Sequence, residues 1–228
     1  QEAVAACVNG DTVWVKDGYV CNSGKSPIIT NYGYARINLN KALTLRSESG
    51  SWEGGATITG EVDPSTGGNG TDAVRAIHVN GSAKIVGFCI KDAAAGGSYG
   101  GAVVFASGNG PIEKCFISGC KTTGILKPAF FKSYVTVTDC VCSNNAGGLS
   151  WCRASGCTIV RNTATSGAGG CGSCVLNDCE IVGNHIAANA AKEAGAENVL
   201  VAQPGDPGVE LQHVLPGDPF QVSVLHTT

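Results

Sequence analysis

The sequence predicts an all-β chain wound as a parallel solenoid, and three observations lead there. First, "GGLSWCRASGCTIVRN" (Gly147 to Asn162) returns 22 residues later as "GGCGSCVLNDCEIVGN" (Gly169 to Asn184), with Gly-Gly, two cysteines, an isoleucine and an asparagine at matched offsets. Second, the repeat extends upstream as columns. With Phe88, Cys115, Cys140, Cys157 and Cys179 as anchors, the third residue before each is Ile85, Ile112, Val137, Ala154 or Leu176, and the second after is Ile90, Ile117, Cys142, Ile159 or Ile181. Third, charged residues are 14% of the chain against an average near ~25%, and 33 of 228 residues are glycine without collagen periodicity.

Each part of the repeat has a structural reading. Anchor and anchor+2 give the in–out–in alternation of a short strand. The polar or glycine pair before the anchor, such as Thr138-Asp139 and Asn177-Asp178, reads as a turn. Asn145, Asn162 and Asn184 stand five residues after their anchors and are read as a core column beside Cys115, Cys140, Cys157 and Cys179, in the turn after the strand, where Asn tolerates a left-handed backbone. A repeat of ~22 residues is then one coil, with equivalent side chains stacked ~4.8 Å apart. Along the chain, residues 1–10 are read as an amino-terminal cap with a short helix, 11–186 as coils, and 187–228 as a carboxy-terminal cap and tail, all in one domain of 228 residues. "AANAAKEAGAENVLVA" (Ala187 to Ala202) is rich in helix formers, and the two "PGDP" segments beyond it read as turns joining extended pieces over the last coil.

These motifs resemble a known group. "C-x-I-x-x-N" followed by Gly-Gly is similar to repeats of the polymorphic outer-membrane-protein type, within the right-handed parallel β-helices of the pectate-lyase-like superfamily. "QEAVAACVNGDTVWVKDGYV", "KALTLRSESG" and "AKIVGFCIKD" resemble the capping helix, first strand and early coils of bacterial surface proteins in that group. The resemblance covers Gln1 to Asn184. It implies a right-handed parallel β-helix that is secreted or held at the cell surface. The chain lacks methionine, so a processed chain or excised fragment of a larger display protein is expected, with signal and anchor outside it.

Composition narrows the partners. With 15 Lys and Arg against 18 Asp and Glu, the net charge is −3, and nothing basic points to nucleic acid. No apolar run reaches the ~18 residues of a membrane helix. Expected partners are therefore a glycan or a surface protein, with no resident cofactor.

Twelve cysteines raise three readings. Zinc held by Cys171, Cys174 and Cys179 with His185 is set aside, because Cys174 and Cys179 merely copy Cys152 and Cys157 one coil earlier. Stacked disulfides, Cys152–Cys174 and Cys157–Cys179, fall within reach of the coil spacing. A buried column of reduced thiols is preferred, since free cysteine packs as a small hydrophobe. Cys7 and Cys21, outside the repeat, are expected as the oxidised pair.

Catalysis has no compact carboxylate cluster to stand on. Asp139 and Asp178 share a turn position two coils apart with Gly156 between, roughly ~10 Å. Glu180 lies beside Asp178, and Arg153 and Arg161 are on the intervening coil. Asp139, Asp178, Glu180, Arg153 and Trp151 are the candidate sugar- or partner-binding residues. Trp151 is matched by Ser173 and is read either as a surface aromatic for stacking or as packed against a loop. A polysaccharide lyase, which would need Ca2+ and a base, or a hydrolase acting on an acidic polysaccharide is the alternative function. A self-assembling filament or surface-layer subunit is the third. "CNSGKSP" (Cys21 to Pro27) faintly resembles a loop near the start of some polysaccharide lyases and is read as spanning an early turn. His78, between Ile77 and Val79, is expected at the surface by alternation. Trp52 is expected in an external loop. The first function expected is a structural or adhesive module.

Overall fold

A computed structural model describes residues 1–28, 33–96, 101–107, 110–126, 134–165 and 169–186. The predicted cap and tail at 187–228 lie outside the described residues. The chain winds as a right-handed parallel β-helix, three strands to a coil. The first sheet runs Thr12–Val15, Thr44–Ser47, Lys84–Val86, Ile112–Glu113, Val135–Thr138, Cys152–Ser155 and Val175–Asn177. The second runs Val20–Cys21, Thr57–Thr59, Cys89–Lys91, Phe116–Ser118, Val141–Ser143, Thr158–Val160 and Glu180–Val182. The third contains Tyr34–Leu39, Val74–Asn80, Val103–Ser107, Ile125–Leu126, Leu149–Ser150 and Cys171–Gly172. These strands pair in parallel, but the third sheet ends at its amino-terminal edge on the antiparallel strand Ser26–Pro27, paired with Tyr34 and Ala35. "CNSGKSP" is thus part of a hairpin that closes a sheet edge.

The register matches the columns read from the sequence. Ile112 faces Ile85 and Val137, Ile117 faces Ile90 and Cys142, and Ile159 faces Cys142 and Ile181. Inward residues of all three sheets form one core, from Val4 of the helix Glu2–Ala6 to Cys179. Lys41 closes the end of that helix by donating from Nζ to the carbonyls of Val4 and Ala5, the last-turn acceptors a helix leaves open.

The corners explain the cysteines. Gly87, Lys114, Asp139, Gly156 and Asp178, each just before an anchor, all have φ between 51° and 81°. Trp151, Ser173 and Gly119 take the same left-handed turn before Cys152, Cys174 and Cys120. In every one of these cysteines the Sγ donates to the carbonyl two residues back, at 3.3 or 3.4 Å. A thiol here fills the core and also adds a weak second donor to a carbonyl that in most of these coils already accepts a backbone amide, as Glu113 O does from Gly87. A valine would only fill.

The left-handed backbone expected at asparagine is displaced by one residue. The left-handed residue after the second-sheet strand is Asp92, Gly119, Asn144, Arg161 or Gly183, one position earlier. Asn145 and Asn162 are buried and point inward as a ladder. Asn145 donates from its amide and side chain to Asn162 Oδ1, both 3.0 Å, and Asn162 does the same to Asn184 Oδ1, both 2.9 Å. Cys120, at the equivalent place, donates from its amide to Asn145 Oδ1. Beside the ladder run Gly124, Gly148 and Gly170. A Cβ on Gly148 would come within 2.1 Å of the Gly170 carbonyl oxygen, so the second glycine of the pairs Gly147-Gly148 and Gly169-Gly170 lies where coils touch closely.

Two further expectations are overturned. All twelve cysteines, Cys7 and Cys21 included, are free. His78 is only 2% exposed. Its side chain does face away from the coil interior, but the outer side of the third sheet is covered there, with Ile28, Ala35, Val104 and Ala106 forming a second buried cluster. Nδ1 of His78 lies 3.0 Å from Asn38 Oδ1, and burial, with the charge of Arg75 adding to it, pushes its pKa down to about 4. Alternation fixes the side a residue faces and is silent on what covers that side. Trp52, in its loop, packs on Phe116 of the second sheet with ring centroids 5.2 Å apart.

Candidate functional site

The outer side of the first sheet gathers most of the exposed chemistry in the later coils. Thr136 faces Arg153 and Arg153 faces Val175, while Thr138, Ser155 and Asn177 make the next row. Val135, Val137, Cys152 and Ala154 alternate inward and are buried, so Thr136 and Arg153 must point out. Asn177 Nδ2 donates to Ser155 Oγ at 3.4 Å.

Just before these strands lies a corner column of Tyr134, Trp151 and Ser173. Trp151 is held at φ 56°, which costs a bulky residue on the order of 1 kcal/mol. Its amide donates to the Gly172 carbonyl at 3.0 Å and its carbonyl accepts from Val135 at 3.2 Å, and these bonds fix where the indole leaves the backbone. The indole stacks on Tyr134, centroids 5.7 Å apart and 27° between planes. The Arg153 guanidinium sits 5.0 Å from the centroid of Tyr134. Stacking and cation–π contact each contribute about 0.5–1 kcal/mol at such a position. Together they hold two half-buried rings and a cation in one surface group. In the next coil the same corner carries Ser173, small and exposed.

The opposite edge of the face is the corner of Asp139, Gly156 and Asp178. It lies roughly 10 Å along the strand from Arg153. A Cβ on Gly156 would stand 2.6 Å from Asp139 Oδ1, so glycine there leaves room for the carboxylate. Glu180 turns the corner and projects from the second sheet, opposite Thr158. The five sequence candidates are therefore divided: Trp151 and Arg153 join, Asp139 and Asp178 line the far edge, and Glu180 belongs to another face. Both roles weighed for Trp151 meet in one place, since it packs against a neighbour and is still half-exposed.

Tyr134 escaped the sequence reading. Its signal was available in the register: it precedes Val135 as Trp151 precedes Cys152. The zinc set is also separated. Cys171 pairs with Leu149 in the third sheet, whereas the Cys174 and Cys179 thiols donate to the Gly172 and Asn177 carbonyls at two different corners. Among the described residues, no group of three or more His, Cys, Asp or Glu could hold a metal ion. His185 pairs through its strand with Thr163 and is exposed.

No curated protein and no solved structure matches the chain. Residues 66–201, more than half of its length, match the family described as the right-handed beta helix region. With three sheets wound in parallel register through the described coils, the chain belongs to the right-handed β-helix family.

Proposed function

We propose that the chain is a non-enzymatic β-helix module, secreted or displayed at a cell surface, whose first sheet binds a glycan. The observation that carries this reading is the Tyr134–Trp151–Arg153 group at the edge of a face of hydroxyl, amide and carboxylate side chains. A pyranose ring offers one apolar C–H face and an equator of hydroxyls. Trp151 supplies the stacking surface, and Thr136, Ser155, Asn177 and Asp178 supply the polar partners. Ser173, in the place of a third ring, lets a sugar continue the stack. The likeness of the repeats to the polymorphic outer-membrane-protein type supports the surface location, and the rigid coil supports a stalk-like, adhesive role.

The test is a glycan array followed by titration calorimetry on the best hits, comparing the native chain with Trp151→Ala. A stacking residue at the centre of a contact contributes about 2 kcal/mol, roughly a thirtyfold loss of affinity. Equal affinity in a folded Trp151→Ala protein, or binding to proteins alone, overturns the glycan assignment. Unsaturated products from uronate polysaccharides, with or without Ca2+, would replace the module by a lyase.

A further inference from the structure

The first sheet carries the chemistry of its Tyr134–Arg153 contact a second time, at the amino-terminal end of the same outer face. Trp14 and Arg46 face each other on the first two strands, and the guanidinium carbon lies 5.4 Å from the centre of the indole. Leu45 and Ser47 alternate inward and are buried, so Arg46 points out beside Trp14, which is 62% exposed. Gly50 lies against the cation as well. A Cβ there would overlap Nη2 of Arg46, so glycine leaves the room that the guanidinium fills. Nε of Arg46 is buried and bonded to no acceptor.

Two features point to an anion as the partner of both arginines. Ion pairing is the first. Lys84, between them on the sheet, meets Glu113 at 2.7 Å. The other ion pairs among the described residues are Lys25–Asp72 and Arg36–Glu61, so Arg46 and Arg153 are each held on a ring and outside every such pair. A guanidinium so placed keeps N–H groups for a carboxylate or a sulfate. The sorting of charge by row is the second. The row through Thr12, Thr44, Lys84, Thr136 and Arg153 holds no carboxylate. Glu113 lies in the next row, opposite Val86, and Asp139 and Asp178 take the corner beyond it.

Arg46 and Arg153 stand four strands apart in the first sheet, on the order of 20 Å at the coil spacing. We propose that the glycan bound by this face is a polyanion lying along the coil axis, whose carboxylate or sulfate groups are taken at two subsites, Arg46 with Trp14 and Arg153 with Tyr134. This rests on the glycan reading above, and adds to it the charge of the ligand and a second place where it is held. Trp14 supplies apolar contact at its end of the face, as Trp151 does at the other. Each subsite is a surface contact screened by salt, so alone it binds weakly. A chain long enough to reach both gains through effective concentration, and a disaccharide does not. The length at which affinity rises is therefore set by the number of coils between the two arginines.

The experiment is titration calorimetry on the native chain with galacturonate dodecasaccharide, sulfated malto-dodecasaccharide, the disaccharide of each, and the uncharged malto-dodecasaccharide. An anionic dodecasaccharide should bind roughly a hundredfold more tightly than its disaccharide, and the uncharged one no more tightly than the disaccharides. Binding of galacturonate alone assigns a carboxylate ligand, of the sulfated chain alone a sulfate ligand, and of both the charge they share. In Arg46→Gln the long anion should fall to the affinity of its disaccharide, whose binding beside Trp151 is unchanged. The comparison of long with short uses the native chain and does not depend on a variant folding. Equal affinity for long and short anions, native affinity for the long anion in a folded Arg46→Gln protein, or binding of neither anion overturns the proposal. An uncharged chain bound as tightly as the anions, and lost in Trp151→Ala, overturns the polyanion and keeps the glycan reading.

Discussion

The two halves of the coil stack hold the same cross-section with different materials. Up to Phe105 the core is aliphatic and aromatic: Leu39, Leu45, Ile58, Ile77, Phe88 and Phe105 are all fully buried. Beyond it Ile112, Ile117, Ile125, Leu149 and Ile159 remain, but much of the interior passes to Cys115, Cys120, Cys140, Cys142, Cys152, Cys157 and Cys174, with Ala154 and the asparagine ladder. The first half is held by apolar area. The second has less area per coil and adds a directional network, with each corner thiol on a carbonyl and each asparagine on the next. A repeat fold tolerates both because every coil needs only its neighbours.

That contrast can be broken at graded points. Phe88→Ala should cost about 3–5 kcal/mol, as large-to-small changes in a packed core do, read from the denaturant midpoint. A loss below 1 kcal/mol would mean the first half does not depend on volume. Asn162→Ala should cost about 3 kcal/mol by orphaning the donors of Asn145 and the Cys142 carbonyl, to which Asn162 donates at 2.9 Å. If Asn162→Ala cost no more than Cys157→Ala, the network would be ornament.

Acid should weaken the covered third sheet. The folded pKa of His78, about 4, lies below the unfolded value near 6.5. Between those values the unfolded chain takes up the proton and the folded one does not, so stability falls as pH drops from 6.5 to 4 and falls no further from this group below that. The expected loss is roughly 2–3 kcal/mol, and His78→Gln should remove it. An unchanged pH profile in that variant would place the acid sensitivity elsewhere. Asp63, whose carboxyl is held down by the Ser65 hydroxyl and then the Asp72 amide, acts only at lower pH. Its stabilisation, present above the ordinary carboxylate range, is lost as pH falls through its depressed pKa.

The smallest effects sharpen the corner rule. Cys157→Ser should cost about 1 kcal/mol, less than an unsatisfied buried hydroxyl, because the Ser155 carbonyl that the thiol meets at 3.3 Å also accepts from serine. Cys120→Asn should stay within about 1 kcal/mol of the native chain, since it adds a rung to a ladder whose next member is already bonded to its amide. Equal and large thermal losses in the two variants would contradict the assignment of the columns.

The fold was largely readable because a coil repeats its constraints. A column of Cys115, Cys140, Cys157 and Cys179 carries one message several times, and spacing alone recovers the pairing. Asn162 stands in a column of its own, and the left-handed backbone expected of it falls one residue earlier at Arg161, because asparagine suits both a left-handed corner and an inward ladder. His78 was misjudged because cover over a sheet comes from segments outside the repeat. At the candidate site, Trp151 was visible as an outlier from its column and Arg153 as a charge on the coil between Asp139 and Asp178. Tyr134 was not, since a tyrosine before a valine stands out only after the coils are superposed. Asp139 and Asp178 share a corner, but the span of the sheet sets them apart from the aromatic group.

The reversed strand Ser26–Pro27 bears on how far such a winding can propagate. Every other strand of the third sheet offers the next a parallel template, and an open template invites a further coil from another molecule. Running the edge strand backwards, with Pro27 contributing no backbone N–H, removes the matching donor pattern on one of three sides. A second molecule arriving in register at that end would find two sides of the triangle ready and the third mismatched. At this edge a single change of strand direction leaves the third side of the coil unfit to receive a parallel neighbour.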